Sequence, residues 1–299
     1  MLRNKNIFKI LLLPTVIFAI ALGVFRTYAL VNFIEPDTGF YFSTTQINTV
    51  FNVLIILLVL LVFACGFFTR KCKAPEGLDS ERTFTVFGSA LCACMYLLVF
   101  VYGVYALVSG FDASPVVTGA VFAPKPSFLQ RLVNAAPDVT SNGLLFLVQV
   151  LLCIPACLNH LTICSKKVRR KNKHYALLSL CETLFFAFRI VEVFMDIKSQ
   201  INTSQRSLEI LLLCSVMLFF MYESQFLVSV ENGVSISKYY MSALAAISFT
   251  LVAALPYLAV SVFRLYTPKF ALVYVLECCV ALFALSRVLT LKDCSVQGD

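Results

Sequence analysis

The apolar residues of this chain gather into long runs separated by short polar stretches. Eight runs reach the roughly 20 residues that an α-helix needs to cross hydrocarbon. They cover approximately residues 8–25, 47–68, 84–108, 144–164, 175–195, 208–229, 239–263 and 270–291. Hydrocarbon offers no partner to a backbone N–H or C=O, so each run must close its hydrogen bonds within itself. The expectation is an all-α bundle of about eight transmembrane spans, forming one integral-membrane domain over residues 1–299. Composition strengthens it: 60% of the 299 residues are hydrophobic, 13% are charged, and the mean hydropathy is +0.88. No soluble domain of this size could cover so much apolar surface.

Arg3, Lys5 and Lys9 ahead of the first apolar run suggest a signal peptide. The run is too long for that reading and no clean small-x-small cleavage site follows, so it is taken as a span. The formal charge of +8 would raise nucleic acid as a partner of a soluble protein. Here the basic residues sit at span ends and in short loops, where they orient the chain, and no basic domain exists to hold a duplex. With the N-terminus in the cytoplasm, 16 of the 24 Lys and Arg fall on the cytoplasmic side and 7 on the other. Both termini are therefore expected inside. The fourth loop dominates this bias, and its Lys166, Lys167, Arg169, Arg170, Lys171 and Lys173 are expected to attract anionic lipid head groups.

On the opposite side, Glu35-Pro-Asp37-Thr-Gly39 has the composition of a tight turn, with Glu35 and Asp37 as its exposed acids. The third loop, Gly110 to Gly143, is long enough to place Ser127–Asn134 as an interfacial helix over the mouth of the bundle, or to remain irregular. Pro14, Pro155 and Pro256 fall within spans and are candidate kinks. No repeat relates the two halves of the chain, so the paired helix interruptions of inverted-repeat transporters are not evident.

All 12 cysteines fall in spans or on the cytoplasmic side, which favours free thiols. Cys153, Cys157, His160 and Cys164 line one helical face, a pattern that suits small residues packed on a neighbouring helix better than a metal site. One helix cannot close a tetrahedral site, and no second Cys/His pair has matching spacing, so neither metal nor cofactor is expected. The chain lacks HExxH, a phosphate-binding loop, a GxSxG elbow and paired intramembrane aspartates. An enzyme is not the favoured reading.

Charges inside the spans are more informative. At about 100° per residue, Glu182, Arg189, Glu192 and Asp196 fall within roughly 80° of arc, giving the fifth helix one charged face. That face must turn toward the bundle interior. The sixth span adds Glu209 near its start and Glu223 near its end. Glu182 and Glu223 share a depth, and if they meet, one of them should hold a proton. Arg189 and Glu277 also share a depth and are candidate partners, with Glu192 the local alternative. Arg264 and Arg287 near span ends read as snorkelling side chains. The candidate intramembrane polar site is thus Glu182, Arg189, Glu192, Glu223 and Glu277.

The segment Arg26-Thr-Tyr-Ala-Leu-Val-Asn-Phe-Ile-Glu-Pro-Asp-Thr-Gly-Phe40, set between two apolar spans, resembles an uncharacterised family of polytopic membrane proteins from Gram-positive anaerobic bacteria. The resemblance extends loosely to Arg189 and the Tyr222-Glu223 pair, and covers about a fifth of the chain. It implies a bacterial plasma membrane and carries no assigned activity. Two functions fit: small-molecule or ion permeation, supported by the charged interior face, and a non-catalytic sensor or assembly component, supported by the small polar portions.

The charge bias gives a topological prediction. On a cysteine-free background, Asn172→Cys should react with a membrane-impermeant maleimide only after the cytoplasmic side is opened. Labelling of intact cells at this position would invert the topology.

Overall fold

A computed structural model of the chain describes residues 7–33, 46–70, 83–112, 143–165, 173–195, 204–228, 236–262 and 271–291. They form α1 (Ile7–Asn32), α2 (Gln46–Phe68), α3 (Thr83–Asp112), α4 (Gly143–Cys164), α5 (Lys173–Met195) and α6 (Ser204–Val228). Next comes α7, built from Ile236–Phe249 and Leu255–Val262 joined by a π-helical turn at Thr250–Ala254, and last α8 (Ala271–Thr290). Seven of these helices are long and apolar enough to cross a membrane, which makes the chain a multi-pass membrane protein with an all-α bundle. The remaining one, α5, has 23 residues and so the length to span, about 35 Å at 1.5 Å per residue. What sets it apart is its charge. Leu177, Leu180, Leu184, Val191 and Phe194 are exposed on one side of α5, while Glu182, Arg189 and Glu192 are buried on the other.

Helices α3 to α8 close a ring in which each packs on its neighbour in sequence and α8 returns to α3. Helices α1 and α2 lie outside this ring against α7. Burial follows position: 67% of the apolar stretch of α7 and 61% of that of α8 are buried, against 28% for α2. Helix α7 tolerates neighbours on several sides because small residues stud it. Ser242, Ala243, Ala246, Ala253 and Ala254 are all buried, and lipid tails provide no drive for association beyond the close packing such residues allow.

Pro256 accounts for the π-helical turn. In the widened register the Leu255 N–H reaches back to the Thr250 carbonyl. The next donor in that register, for the Leu251 carbonyl, would be Pro256, which has no N–H. Helix α1 approaches at this point through Gly23, where an added Cβ would collide with the Leu251 carbonyl oxygen. Glycine is required here for backbone approach.

Helix α1 is longer than the sequence suggested, running to Asn32 instead of ending near Phe25. Arg26, which broke the apolar run, is buried, its guanidinium 5.0 Å from the centroid of the Phe51 ring on α2. A cation over an aromatic face is stabilised without water, so the helix continues past it. The Glu35 to Gly39 turn with Asp37, most of the third loop, the loop basic residues Lys166, Lys167, Arg169, Arg170 and Lys171, and Asp196 and Arg264 lie outside the described residues. Lys173 opens α5.

Gly23→Ala should destabilise the bundle by about 1–3 kcal/mol, the usual cost of overpacking, and Gly23→Val by more. A lowered midpoint of thermal unfolding in detergent reads this out. A wild-type midpoint for Gly23→Val would show that α1 does not seat on the π-helical turn.

Candidate functional site

The ring encloses two polar layers separated by aromatic side chains. The first is built on α5 around Glu182. Asn159 of α4 donates from Nδ2 to Glu182 Oε1 at 3.1 Å, and His160 Nε2 lies 3.2 Å from the same oxygen. On its other side His160 Nδ1 is 3.0 Å from Ser89 Oγ of α3, and this hydroxyl also donates to the His160 carbonyl at 3.0 Å. A hydroxyl has one proton. With that proton on the carbonyl, Nδ1–H must donate to Oγ, while Nε2 meets the Glu182 oxygen as a close contact without hydrogen-bond geometry.

Glu223 of α6 completes this layer. Tyr239 of α7 donates to its Oε2 at 2.6 Å, and Arg287 Nη2 of α8 approaches Oε1 to 2.8 Å as a charge contact. Arg287 is buried, with its guanidinium 5.1 Å from the Phe283 ring centroid, so it does not snorkel as its place near a span end suggested. A carboxylate inside the ring competes successfully with the head-group region for this cation. Glu182 and Glu223 do share the layer, close enough for their charges to oppose one another. Each nevertheless bonds its own donors.

The second layer is built on Arg189. Its Nη1 donates to Glu192 Oε2 at 2.8 Å, the local pairing expected from a spacing of three on a helix. Gln149 Nε2 of α4 donates to that same Glu192 oxygen at 2.8 Å. The long-range partner differs from the expected one. Nη2 of Arg189 donates to Glu209 Oε1 of α6 at 3.3 Å, and no hydrogen bond or ion pair to Glu277 forms among the described residues. Counting along the helices matched the depth of Arg189 to Glu277 but could not fix direction around the axis. Glu209 lies at a matching depth on the adjacent antiparallel helix, and that adjacency decides the pairing. Nearby, Arg206 Nη2 donates to the Val193 and Phe194 carbonyls at 2.5 and 2.6 Å, capping the otherwise open end of α5.

Between the layers lies an aromatic septum. Phe186 stacks on Phe220 at 5.7 Å between centroids, Tyr96 meets Phe185 edge-on at 5.6 Å, and Phe283 meets His160 edge-on at 4.9 Å. Along α5, α6 and α8 this septum separates Glu182 from Arg189, Glu223 from Glu209, and Arg287 from Glu277.

All five expected site residues are therefore buried in the ring, but in two groups instead of one: Glu182 and Glu223 in the first, Arg189 and Glu192 in the second, with Glu277 near enough to Arg189 and Glu209 of the second for their charges to act on it. Ser89, Gln149, Asn159, His160, Tyr239 and Arg287 also belong to these layers, and Glu209 is bonded within one. His160 was hidden by its cysteine neighbours. In that stripe Cys157 and Cys164 donate to the Ala93 and Val86 carbonyls of α3 at 3.4 and 3.5 Å, which is packing, while His160 turns to Ser89 and Glu182. The order Ser89–His160–Glu182 has the connectivity of a hydrolase triad. Its hydroxyl, however, is committed to a backbone carbonyl and all three residues are fully buried, so no nucleophile is presented. No protein family, curated protein or solved structure matches the chain.

Glu223 and Arg287 should behave as a buried pair. Arg287→Met and Glu223→Met should each destabilise the protein by about 3–5 kcal/mol, because each strands the opposite charge. The double variant should lose far less than the sum, measured by thermal unfolding in detergent. Additive losses would show that the two do not interact.

Proposed function

We propose that the protein is a non-enzymatic permeation or transport component for an ion or small molecule in a bacterial plasma membrane. The observation that carries this reading is the imbalance of charge inside the ring. Glu182, Glu192, Glu209, Glu223 and Glu277 are buried there; Arg189 and Arg287 pair with Glu192, Glu209 and Glu223, and buried Arg206 also acts on Glu209, so the acids still outnumber these arginines. Helix association alone would be served by matched pairs. Surplus acidic groups at membrane depth are what a path for a proton or a cation supplies. The two layers stand on opposite sides of the septum, as the two ends of such a path require. The expected cytoplasmic termini would place the Glu182 layer nearer the cytoplasm.

A second reading, a non-catalytic sensor or assembly partner, is favoured by Arg189 itself. It is 5% exposed, and both terminal nitrogens are bonded to carboxylates, as in a structural clamp.

The full chain in vesicles carrying an entrapped pH dye separates the two. A potassium gradient with valinomycin should drive proton entry several-fold faster than in protein-free vesicles, and neutralising the surplus acids should return the rate to the protein-free level. Entry at the protein-free rate across neutral and mildly acidic pH would favour the assembly reading.

A further inference from the structure

Glu277 is the one site acid whose two carboxyl oxygens are both buried and without a hydrogen-bond partner among the described residues. It sits in the first half of α8, fully buried, with Glu209 of α6 and Arg189 of α5 near enough for their charges to act on it. Arg189 makes no hydrogen bond or ion pair with it among the described residues, its Nη1 lying on Glu192 and its Nη2 on Glu209. A charged Glu277 would add a third carboxylate near the Arg189 guanidinium, while the second guanidinium nearby, that of Arg206 on α6, acts on Glu209. The other helices packed on α8 bring no remedy. Helix α3 has no charged residue before Asp112, α7 has only Lys238 near its opposite end, and α1 has Lys9 and Arg26, the latter stacked on Phe51 of α2. From α8 itself come Tyr274, stacked on Tyr257 of α7 at 5.5 Å, and Cys278, both close enough to feel a charge on Glu277.

A carboxyl group enclosed in this way is neutralised by what it binds. A metal ion would need further ligands, and no group of three or more His, Cys, Asp or Glu among the described residues is placed to hold one. A proton needs none. We propose that Glu277 is an exchangeable proton-binding site within the electrostatic reach of the Arg189–Glu209 pair. The inference deepens the permeation reading and rests on it for its purpose, since it names the proton as the ion. Release of that proton adds a negative charge that acts on both Arg189 and Glu209, the pair that joins α5 to α6.

Infrared spectroscopy of the purified full chain in detergent tests the site without any transport measurement. At neutral pH the wild type should show the carbonyl stretch of a protonated carboxylic acid free of strong hydrogen bonds. Glu277→Gln should lose that band, Glu209→Gln should keep it, and Glu277→Asp should shift it, which preserves the test if the Gln variant fails to fold. Raising the pH should remove the band reversibly, with release of one proton per chain at that step. A spectrum unchanged by Glu277→Gln and Glu277→Asp would overturn the assignment. So would loss of the band on adding sodium or potassium at fixed pH, which would make Glu277 a cation site. A Glu277-dependent band together with vesicle proton entry at the protein-free rate would leave the proton site standing and overturn the permeation reading.

Discussion

A carboxylate inside a bilayer has no solvent to stabilise it, and that constraint organises this molecule. Five glutamates lie at membrane depth, and each has to be enclosed by protein. The ring of α3 to α8 is the enclosure. Its inward faces carry acids, arginines and the donors that reach them, and its outward faces carry leucine, isoleucine, valine and phenylalanine. Helix α5 shows the principle in the smallest space: exposed Leu177, Leu184 and Val191 on one side, buried Glu182, Arg189 and Glu192 on the other. Position in the ring, and not mean hydropathy, makes α5 acceptable in lipid.

The order of the helices follows from the same constraint. Short connections favour antiparallel neighbours, so acids and donors at corresponding depths on successive helices come together. Glu209 meets Arg189 across the α5–α6 pair, and Gln149 meets Glu192 across the α4–α5 pair. Arg287 reaches Glu223 from α8 because the ring closes. Outside the ring, α1 and α2 hold α7 in place by close approach, Gly23 against the Leu251 carbonyl and Ser237 of α7 hydrogen-bonded to the Gly66 carbonyl of α2. The π-helical turn at Pro256 is thereby clasped by α1.

Much of this was legible in the residues. The spans announced themselves through length and apolarity, and the inward face of α5 followed from spacings near the helical period. The local Arg189–Glu192 pair followed from the same spacing. Azimuth was not legible: depth counting pointed Arg189 to Glu277, and only the adjacency of α5 and α6 in the ring reveals Glu209 as its long-range partner. Arg287 was misread because a cation near a span end has an easy path to the head groups, and nothing local reveals that Glu223 faces it. His160 was masked by three cysteines sharing its stripe, although its neighbour Asn159 and the more distant Gln149 gave α4 a polar thread of its own. Arg26 seemed to end the first helix because the aromatic ring that receives it belongs to the second.

The septum of Tyr96, Phe185, Phe186, Phe219, Phe220 and Phe283 has an electrical consequence. It is a slab nearly free of charges and reorienting dipoles between two layers dense in both, which resembles the insulator of a capacitor. The membrane voltage does not fall evenly along such a bundle. Polarisable layers flatten it, and the drop concentrates across the aromatic gap. A unit charge carried over the full drop exchanges about 2.3 kcal/mol with every 100 mV, so most of that work is done within the thickness of a few stacked rings. The rings that pack the middle of the bundle therefore also set where a membrane voltage would fall across it.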